Sequence, residues 1–108
     1  MSETLKVCGL DVTNGYSAIL TCPAGASVVC KSLIITNVDG TNTSYVSAKF
    51  VDDSETDEWR FCYQEDINPG PSIDILPAVL NLEEGDSIEL IAENNSDLEA
   101  VLSYLLVT

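Results

Sequence analysis

Hydrophobic and polar residues alternate in short runs along the chain, and sequences typical of turns separate these runs. Residues 45–51 show the pattern well, because Val46, Ala48 and Phe50 alternate with Tyr45, Ser47, Lys49 and Val51. Successive side chains of a β-strand point to opposite faces, so this period of two predicts a strand. The other segments with strand character are residues 4–7, 18–21, 27–37, 59–64, 72–76, 79–82, 87–93 and 98–107. We therefore predict an all-β, single-domain antiparallel β-sandwich of about seven or eight strands, jelly-roll or Ig-like, over residues 1–108.

The centre of the predicted fold is residues 18–37, which read as strand, tight turn and long strand. Pro23 and Gly25 suit the turn, because proline fixes φ at its second position and glycine accepts a positive φ. Residues 27–37 are rich in Val and Ile, and a period of two places apolar side chains on both faces, with Leu33 on one face and Val28 on the other. A strand that is apolar on both faces is expected in the middle of a packed sheet.

Several local features refine this picture. Residues 39–42, DGTN, are a hairpin signal and predict that residues 45–51 return beside the long strand. Residues 9–16 are rich in turn formers. Trp59, Phe61 and Tyr63 fall on one face of a predicted strand, which indicates an aromatic contribution to the core rather than an exposed binding platform. The only segments with helical alternatives are residues 76–84 and 98–106, and the content of Val, Leu and Tyr favours a strand for the second.

The charge balance restricts the partners. The sequence contains four Lys and Arg residues and 18 Asp and Glu residues, which gives a formal net charge of −14. Such a surface repels nucleic acid and anionic membranes, so neither is an expected partner. It suits a basic partner surface or a cation, or it is simply a solvated surface. The first residues lack the pattern of a signal peptide and no apolar run is long enough for a membrane span, which predicts synthesis in a cytoplasm.

The sequence offers little catalytic equipment. It has no histidine, so it lacks the most common general base and the Ser-His and Cys-His nucleophile pairs, and it has no glycine-rich phosphate loop. We therefore expect no enzymatic activity and no cofactor. The thiols of Cys8, Cys22, Cys30 and Cys62 are expected to be reduced in a cytoplasm and to pack as small hydrophobic groups. The four cysteines lack the paired short spacing of most structural zinc sites, but zinc binding by their thiolates is still an open alternative. A disulfide of Cys22 with Cys8 or Cys62 after release from a cell is another open alternative.

Two polar loops, residues 39–42 and 52–58, are the candidate contact regions, because loops carry function more often than framework strands. The acidic run in residues 52–58 also suggests a weak calcium site at Asp52, Asp53, Glu55 and Asp57, although it lacks the ligand order of an EF-hand and a solvated hairpin tip is favoured. The candidate partner-binding residues are Asp39, Asn42, Asp52, Asp53, Glu55, Asp57 and Glu58.

Two motif segments and the closing strand resemble small β-sandwich virion proteins of tailed bacteriophages. Residues 20–37, LTCPAGASVVCKSLIITN, are similar to the opening T-x-PAG-x-x-x-x-V-K-S-I-x-x-x-N of these proteins. Residues 80–88, LNLEEGDSI, resemble their later L-x-L-x-x-GD-x-I turn and strand, and residues 101–104 are similar to their last strand.

This resemblance implies a structural role without catalytic residues. It implies a virion protein that assembles as a homo-oligomer on a larger virion protein such as the major capsid protein, as a capsid decoration or cement protein. The alternative within the particle is a neck, tail or fibre-associated component. An alternative of another class is a β-sandwich module that binds carbohydrate or calcium.

Overall fold

The structure is a computed structural model that describes residues 2–108. Nine strands form it, and no helix occurs among the residues described. The strands are β1 (Glu3–Val12), β2 (Ser17–Thr21), β3 (Ser27–Asn37), β4 (Ser44–Asp52), β5 (Asp57–Ile67), β6 (Ile73–Asp74), β7 (Leu80–Leu82), β8 (Ser87–Ala92) and β9 (Leu98–Val107). Consequently no helix in residues 2–108 has the length and apolar character needed to span a membrane.

The strands form two antiparallel sheets that pack face to face. The first sheet has the order β1-β9-β3-β6, with β7 also paired to β3, and the second has the order β2-β8-β4-β5. The short strands β6 and β7 pair with different parts of β3, so they act as two pieces of one interrupted strand. Counted in that way, eight strands form two four-stranded sheets with the connectivity of a jelly roll. The predicted β-sandwich is confirmed.

The core lies between the two sheets. The inner faces of β3, β8 and β9 supply its largest buried side chains, including Leu33, Leu90 and Leu102. The buried hydrophobic residues are Val12, Ile19, Cys22, Val28, Cys30, Leu33, Ile35, Val46, Ala48, Ile67, Ile75, Leu82, Ile88, Leu90, Ala92, Leu98, Ala100 and Leu102. Every strand except the two-residue β6 contributes to this set, with β1, β2, β5 and β7 giving one residue each.

A bulge in β3 explains why this strand looks apolar on both faces. Its register with β9 shifts between Cys30 and Ser32, so Lys31 is the extra residue. Before the bulge Val28 and Cys30 are buried, and after it the buried positions are Leu33, Ile35 and Asn37. The period-two assignment that placed Val28 and Leu33 on opposite faces was therefore wrong beyond Lys31. The prediction of a central strand was right, because β3 pairs with β9 on one side and with β6 and β7 on the other.

The predicted hairpin at residues 39–42 is also wrong. β3 belongs to the first sheet and β4 to the second, and the two strands do not pair. The loop instead crosses from one sheet to the other. Buried Asn37 holds it in place, since its Nδ2 donates to the carbonyls of Asn42 and Ile67, both at 2.8 Å, and its Oδ1 accepts from the Asp39 N–H at 2.9 Å.

The aromatic core face predicted for β5 does not form. Trp59 and Tyr63 are 63% and 68% exposed, and only Phe61 packs against the core. β5 is the edge strand of the second sheet, and its register with β4 shifts twice. These bulges break the alternation on which the prediction rested.

The remaining differences concern element lengths. β1 continues to Val12 through part of the segment expected to be a turn, while β6 is shorter than residues 72–76. Within residues 76–84 the only regular element is the three-residue strand β7, so the helical alternative is wrong there. The preferred strand assignment for residues 98–107 is confirmed by β9.

Candidate interaction surfaces

The hairpin between β4 and β5 forms an acidic end of the molecule. Asp52 pairs with Asp57 where the two strands meet, so the expected hairpin tip is confirmed at this position. The Asp52 carboxylate accepts from the Ser54 hydroxyl at 3.0 Å and from the Glu55 N–H at 3.3 Å. The next loop in space joins β7 to β8 and brings further acidic side chains, among them the buried Asp86. The bonds of Asp52 therefore shape the hairpin tip itself.

The two predicted contact loops do not come together. Asp39 and Asn42 precede β4, whereas the acidic run follows it, so the nine residues of β4 separate the two loops by about 26 Å. Asp39 Oδ2 accepts from the Asn42 N–H at 2.8 Å, and the Asn42 carbonyl is bound by Asn37. The Asp39 carboxylate and the Asn42 backbone thus have local structural partners.

The acidic run provides no evident metal site. Asp53, Glu55, Asp57 and Glu58 are exposed, and Glu58 pairs with the Lys49 ammonium at 3.0 Å. Residues 2–108 contain no group of three or more His, Cys, Asp or Glu side chains placed to hold a metal ion. Calcium binding and partner contacts of this run stay predictions.

The four cysteines are free thiols in the structure. Cys22 and Cys30 are buried in the core, as expected for small hydrophobic groups, while Cys8 and Cys62 are half-buried. Burial raises the pKa of all four thiols, and for Cys30 the neighbouring thiols of Cys8 and Cys22 add to this and bring the pKa to about 11. The thiols therefore stay protonated near neutral pH, where they are poor nucleophiles.

The outer face of the first sheet carries an apolar surface that we call the β1–β9 face. Leu5 and Val7 are 74% and 67% exposed, and Leu5 lies directly opposite Leu105 of β9. Residues opposite one another in a ladder share a face of the sheet. By the same register, the exposed Val101 and several half-buried residues of β9 and β3 lie on the same face as Leu5 and Val7. The apolar residues of the β1–β9 face are Leu5, Val7, Val29, Ile34, Val101, Leu105 and Val107.

Charge is sparse on the β1–β9 face. Glu3 stands at one end of β1, and Asp11 and Glu99 stand opposite each other at the other end. Beside Gly9, which has no side chain, a shallow depression of about 330 Å³ reaches Val101 and is also lined by Asp11 and Glu99 at that end. β1 is also a free edge strand, and its ladder with β9 runs through ten residue pairs without a bulge. The surface combines exposed apolar side chains with an unpaired strand edge.

A second surface lies on the opposite side of the sandwich, along β5. Trp59 and Tyr63 project into solvent there, and a cavity of about 360 Å³ opens between β5 and the segment around β6. Its lining residues are Phe61, Cys62, Tyr63, Glu65, Asp74, Ile75 and Pro77.

Sequence reasoning missed both surfaces. A signal for the β1–β9 face was present, because Leu5 and Val7 alternate with the polar Thr4 and Lys6 at the start of the chain. The alternation shows that one face of β1 is apolar, but not that this face points away from the second sheet. The cavity along β5 had no sequence signal, because its lining comes from two segments in different sheets.

No family model and no curated protein matches the sequence. Among solved structures, one match comes from Bacillus endospore appendages, described as a novel family of disulfide-linked pili, with a TM-score of 0.56 and 10% identity over 99% of this chain and 87% of that chain. Another comes from the acidic stable capsid structure of Helicobacter pylori bacteriophage KHP30, with a TM-score of 0.49 and 15% identity over 100% of this chain and 89% of that chain. At 10% identity the first likeness bears on the fold alone.

Proposed function

We propose that the chain is a non-enzymatic structural protein of a tailed bacteriophage particle, a capsid decoration protein that assembles with copies of itself and stabilises the shell. The observation that carries this proposal is the β1–β9 face. A protein with a net charge of −14 repels its own copies over most of its surface, so a charge-poor apolar face is where two copies can meet. A second copy is therefore the occupant that we assign to this face.

The placement of the two motif segments supports the proposal. They contact each other in space, because the Cys22 N–H donates to the Asp86 carbonyl at 2.8 Å and the Gly85 N–H donates to the Cys22 carbonyl at 3.0 Å. The Glu84 carboxylate also accepts from the Gly25 N–H at 2.7 Å. The residues that resemble phage virion proteins thus form one joined pair of turns, as expected if both motifs belong to the same structural unit.

The Bacillus neighbour agrees with the coarser part of the proposal, a structural role. That protein is a component of disulfide-linked pili, which are repeating assemblies. A repeating assembly needs a compact subunit with self-complementary or mutually complementary surfaces rather than a catalytic site. The assignment to a phage particle rests on the sequence motifs. It implies that the protein is made in a host cytoplasm and is located in the virion. The alternative interpretation of the same motifs is a position on the neck, tail or fibre of the particle.

A carbohydrate-binding module is the candidate of another class, and one observation favours it. Trp59 and Tyr63 are exposed on one edge strand, and exposed aromatic rings can stack on sugar rings. Retention of the protein on immobilised glycans, lost when Trp59 is replaced by alanine, would support this function over the structural one.

The composition of purified particles tests the proposed function. We expect mass spectrometry of virions produced from the genome that encodes the chain to detect it in many copies per particle. We also expect the purified protein to sediment with shells that were assembled without it. Absence of the chain from the virions, or a few copies at the tail in place of many on the shell, would overturn the decoration role.

A further inference from the structure

The cavity beside β5 lies where the sandwich is open at its side. β5 is the last strand of the second sheet, and β6 is a two-residue strand at the edge of the first sheet. The cavity of about 360 Å³ between them has room for one long side chain. Its apolar lining comes from the half-buried Phe61, the buried Ile75 and the exposed Pro77.

The polar groups of the cavity are acidic. Glu65 and Asp74 are both exposed and both line it. Asp74 is held in place, because its Oδ1 accepts from the Leu33 N–H at 3.1 Å and from the Leu76 N–H at 3.0 Å. Both bonds use the same oxygen, so Oδ2 is left for another donor. The cavity therefore presents one carboxylate that two backbone N–H groups hold and a second, exposed carboxylate, both beside apolar side chains.

None of the chain's Lys and Arg side chains lines the cavity. The only Lys and Arg residues are Lys6, Lys31, Lys49 and Arg60, and all four are absent from its lining. Lys49 is buried on the other face of the second sheet, between Glu58 and Glu89. Two carboxylates without a cation in a chain of charge −14 favour a positively charged occupant supplied by another molecule.

Tyr63 adds a third element of recognition. It stands at the second bulge of β5, where Gln64 has φ of 49° and its N–H donates to the Ser47 hydroxyl at 2.8 Å. At this bulge the Tyr63 ring is exposed to solvent, and it lines the rim of the cavity. A lysine or arginine side chain can lay its aliphatic stem on an apolar floor while its charged end meets carboxylates and an aromatic ring.

We propose that the cavity formed by Phe61, Tyr63, Glu65, Asp74, Ile75 and Pro77 is a docking site for one lysine or arginine side chain of a partner protein. The partner is a protein with a basic contact surface, distinct from a second copy of this acidic chain. The inference does not depend on the decoration role, since any basic partner can use the site. The two bulges and four acidic residues of β5 also disfavour addition of a strand along this edge, so a side chain is a better occupant than a whole strand.

The test is a nuclear magnetic resonance titration of the full-length, ¹⁵N-labelled chain. The probes are blocked pentapeptides of glycine with arginine, lysine or glutamine at the centre. We expect the arginine and lysine peptides to shift the amide signals of Tyr63, Glu65 and Asp74 in a saturable manner, and the glutamine peptide to leave them in place. Glu65→Gln should weaken the binding at least about threefold, because it removes one of two carboxylates that meet the cation.

A matched variant separates this site from general attraction. Glu99→Gln makes the same change of charge on the outer face of the first sheet, and we expect it to leave the binding unchanged. Both glutamates are exposed, so each variant is expected to fold, and unperturbed signals elsewhere in the spectrum check this. Equal weakening by Glu65→Gln and Glu99→Gln, shifts spread over the acidic end, or equal shifts with the glutamine peptide would overturn the proposal.

Discussion

The carboxylate of Asp86 accepts a hydrogen bond from the backbone N–H of Asp53, with 3.0 Å between N and Oδ1. Its second oxygen accepts from the Glu83 N–H at 2.9 Å, and the residue is only 4% exposed. One buried side chain thus connects the β4–β5 hairpin to the turn between β7 and β8. These bonds hold two acidic loops together in spite of their like charges.

Replacing Asp86 by alanine should therefore strongly destabilise the fold. The variant leaves two backbone N–H groups without their acceptor, and hydrogen bonds to charged groups contribute about 1.5–3 kcal/mol each. We expect the free energy of unfolding in urea to fall by about 3 kcal/mol. Asp66→Ala, which removes an exposed carboxylate, is the control and should change stability by less than about 0.5 kcal/mol. Similar values for the two variants would show that the Asp86 bonds do not stabilise the acidic end.

Gly85 offers a separate test of the same turn. It has φ of 88°, and an added Cβ would come within 2.7 Å of Asp53 Oδ2. Gly85→Ala should cost about 2 kcal/mol, from the left-handed backbone and the displaced carboxylate together. Gly15 has open space around it, so Gly15→Ala is the matched control and should leave thermal stability nearly unchanged. Equal melting temperatures of the two variants would contradict the described geometry.

Lys49 should stabilise the second sheet through contacts on its outer face. Its Nζ lies 3.0 Å from Glu58, 3.7 Å from Glu89 and 4.0 Å from the centroid of the Tyr16 ring, and the residue is buried. We expect Lys49→Met to lower the free energy of unfolding by about 1–2 kcal/mol, because the two glutamates lose their counter-ion.

The control for Lys49 is the exposed Lys31. Lys31→Met makes the same chemical change, and we expect it to alter stability by less than about 0.5 kcal/mol. Chemical denaturation of both variants in urea, which leaves the ionic strength low, makes the comparison. If Lys31→Met lowers the free energy of unfolding as much as Lys49→Met does, net charge rather than the local contacts of Lys49 determines the loss of stability.

Stability should decrease in alkaline solution because of the buried thiols. The pKa of Cys30 is raised from 9.0 to about 11, first by burial and then by the thiols of Cys8 and Cys22. Between these values the unfolded chain holds fewer protons than the folded one, so the free energy of unfolding falls as pH rises. The full contribution is present below pH 9, and on the order of 2 kcal/mol is lost by pH 11.

The slope of stability against pH, rather than its absolute value, tests this expectation. Cys30→Ala should flatten the decrease between pH 9 and pH 11, even though the cavity it leaves lowers stability at every pH. Part of the decrease should remain, because burial also raises the pKa of Cys8, Cys22, Cys62 and Tyr104. An unchanged slope in Cys30→Ala would contradict the role of this thiol.

Local sequence chemistry predicted the strands but not how they pair. The composition of β3 and the Pro23-Ala24-Gly25 turn were correctly interpreted, because strand propensity and turn geometry are local properties. The loop at residues 39–42 was not, since the same turn residues serve a hairpin or a crossing between sheets. Which of the two forms depends on β8, which lies far along the chain and pairs with β4 in the second sheet.

Bulges account for the errors in which face a residue occupies. In β3 the buried positions step by three residues from Cys30 to Leu33, in contrast to the steps of two on either side. The sequence does not show this step, because Val29 and Ile34 are apolar as well. In β5 no signal exists either, because Trp59, Phe61 and Tyr63 alternate regularly in the sequence. The exposure of Trp59 and Tyr63 follows from an edge position and two register shifts, both of which depend on the neighbouring strand β4.

Sedimentation velocity over a range of concentrations tests the proposal that the β1–β9 face joins copies of the chain. We expect the wild-type protein to form a closed oligomer with a mass that is a multiple of 11.6 kDa. Val7→Glu should give a monomer, because it places a charge in the centre of the apolar face, whereas Val79→Glu, at a similarly exposed position in the loop before β7, should keep the oligomer. A wild-type protein that stays monomeric at all concentrations, or a Val7→Glu variant that still assembles, would contradict the proposed interface.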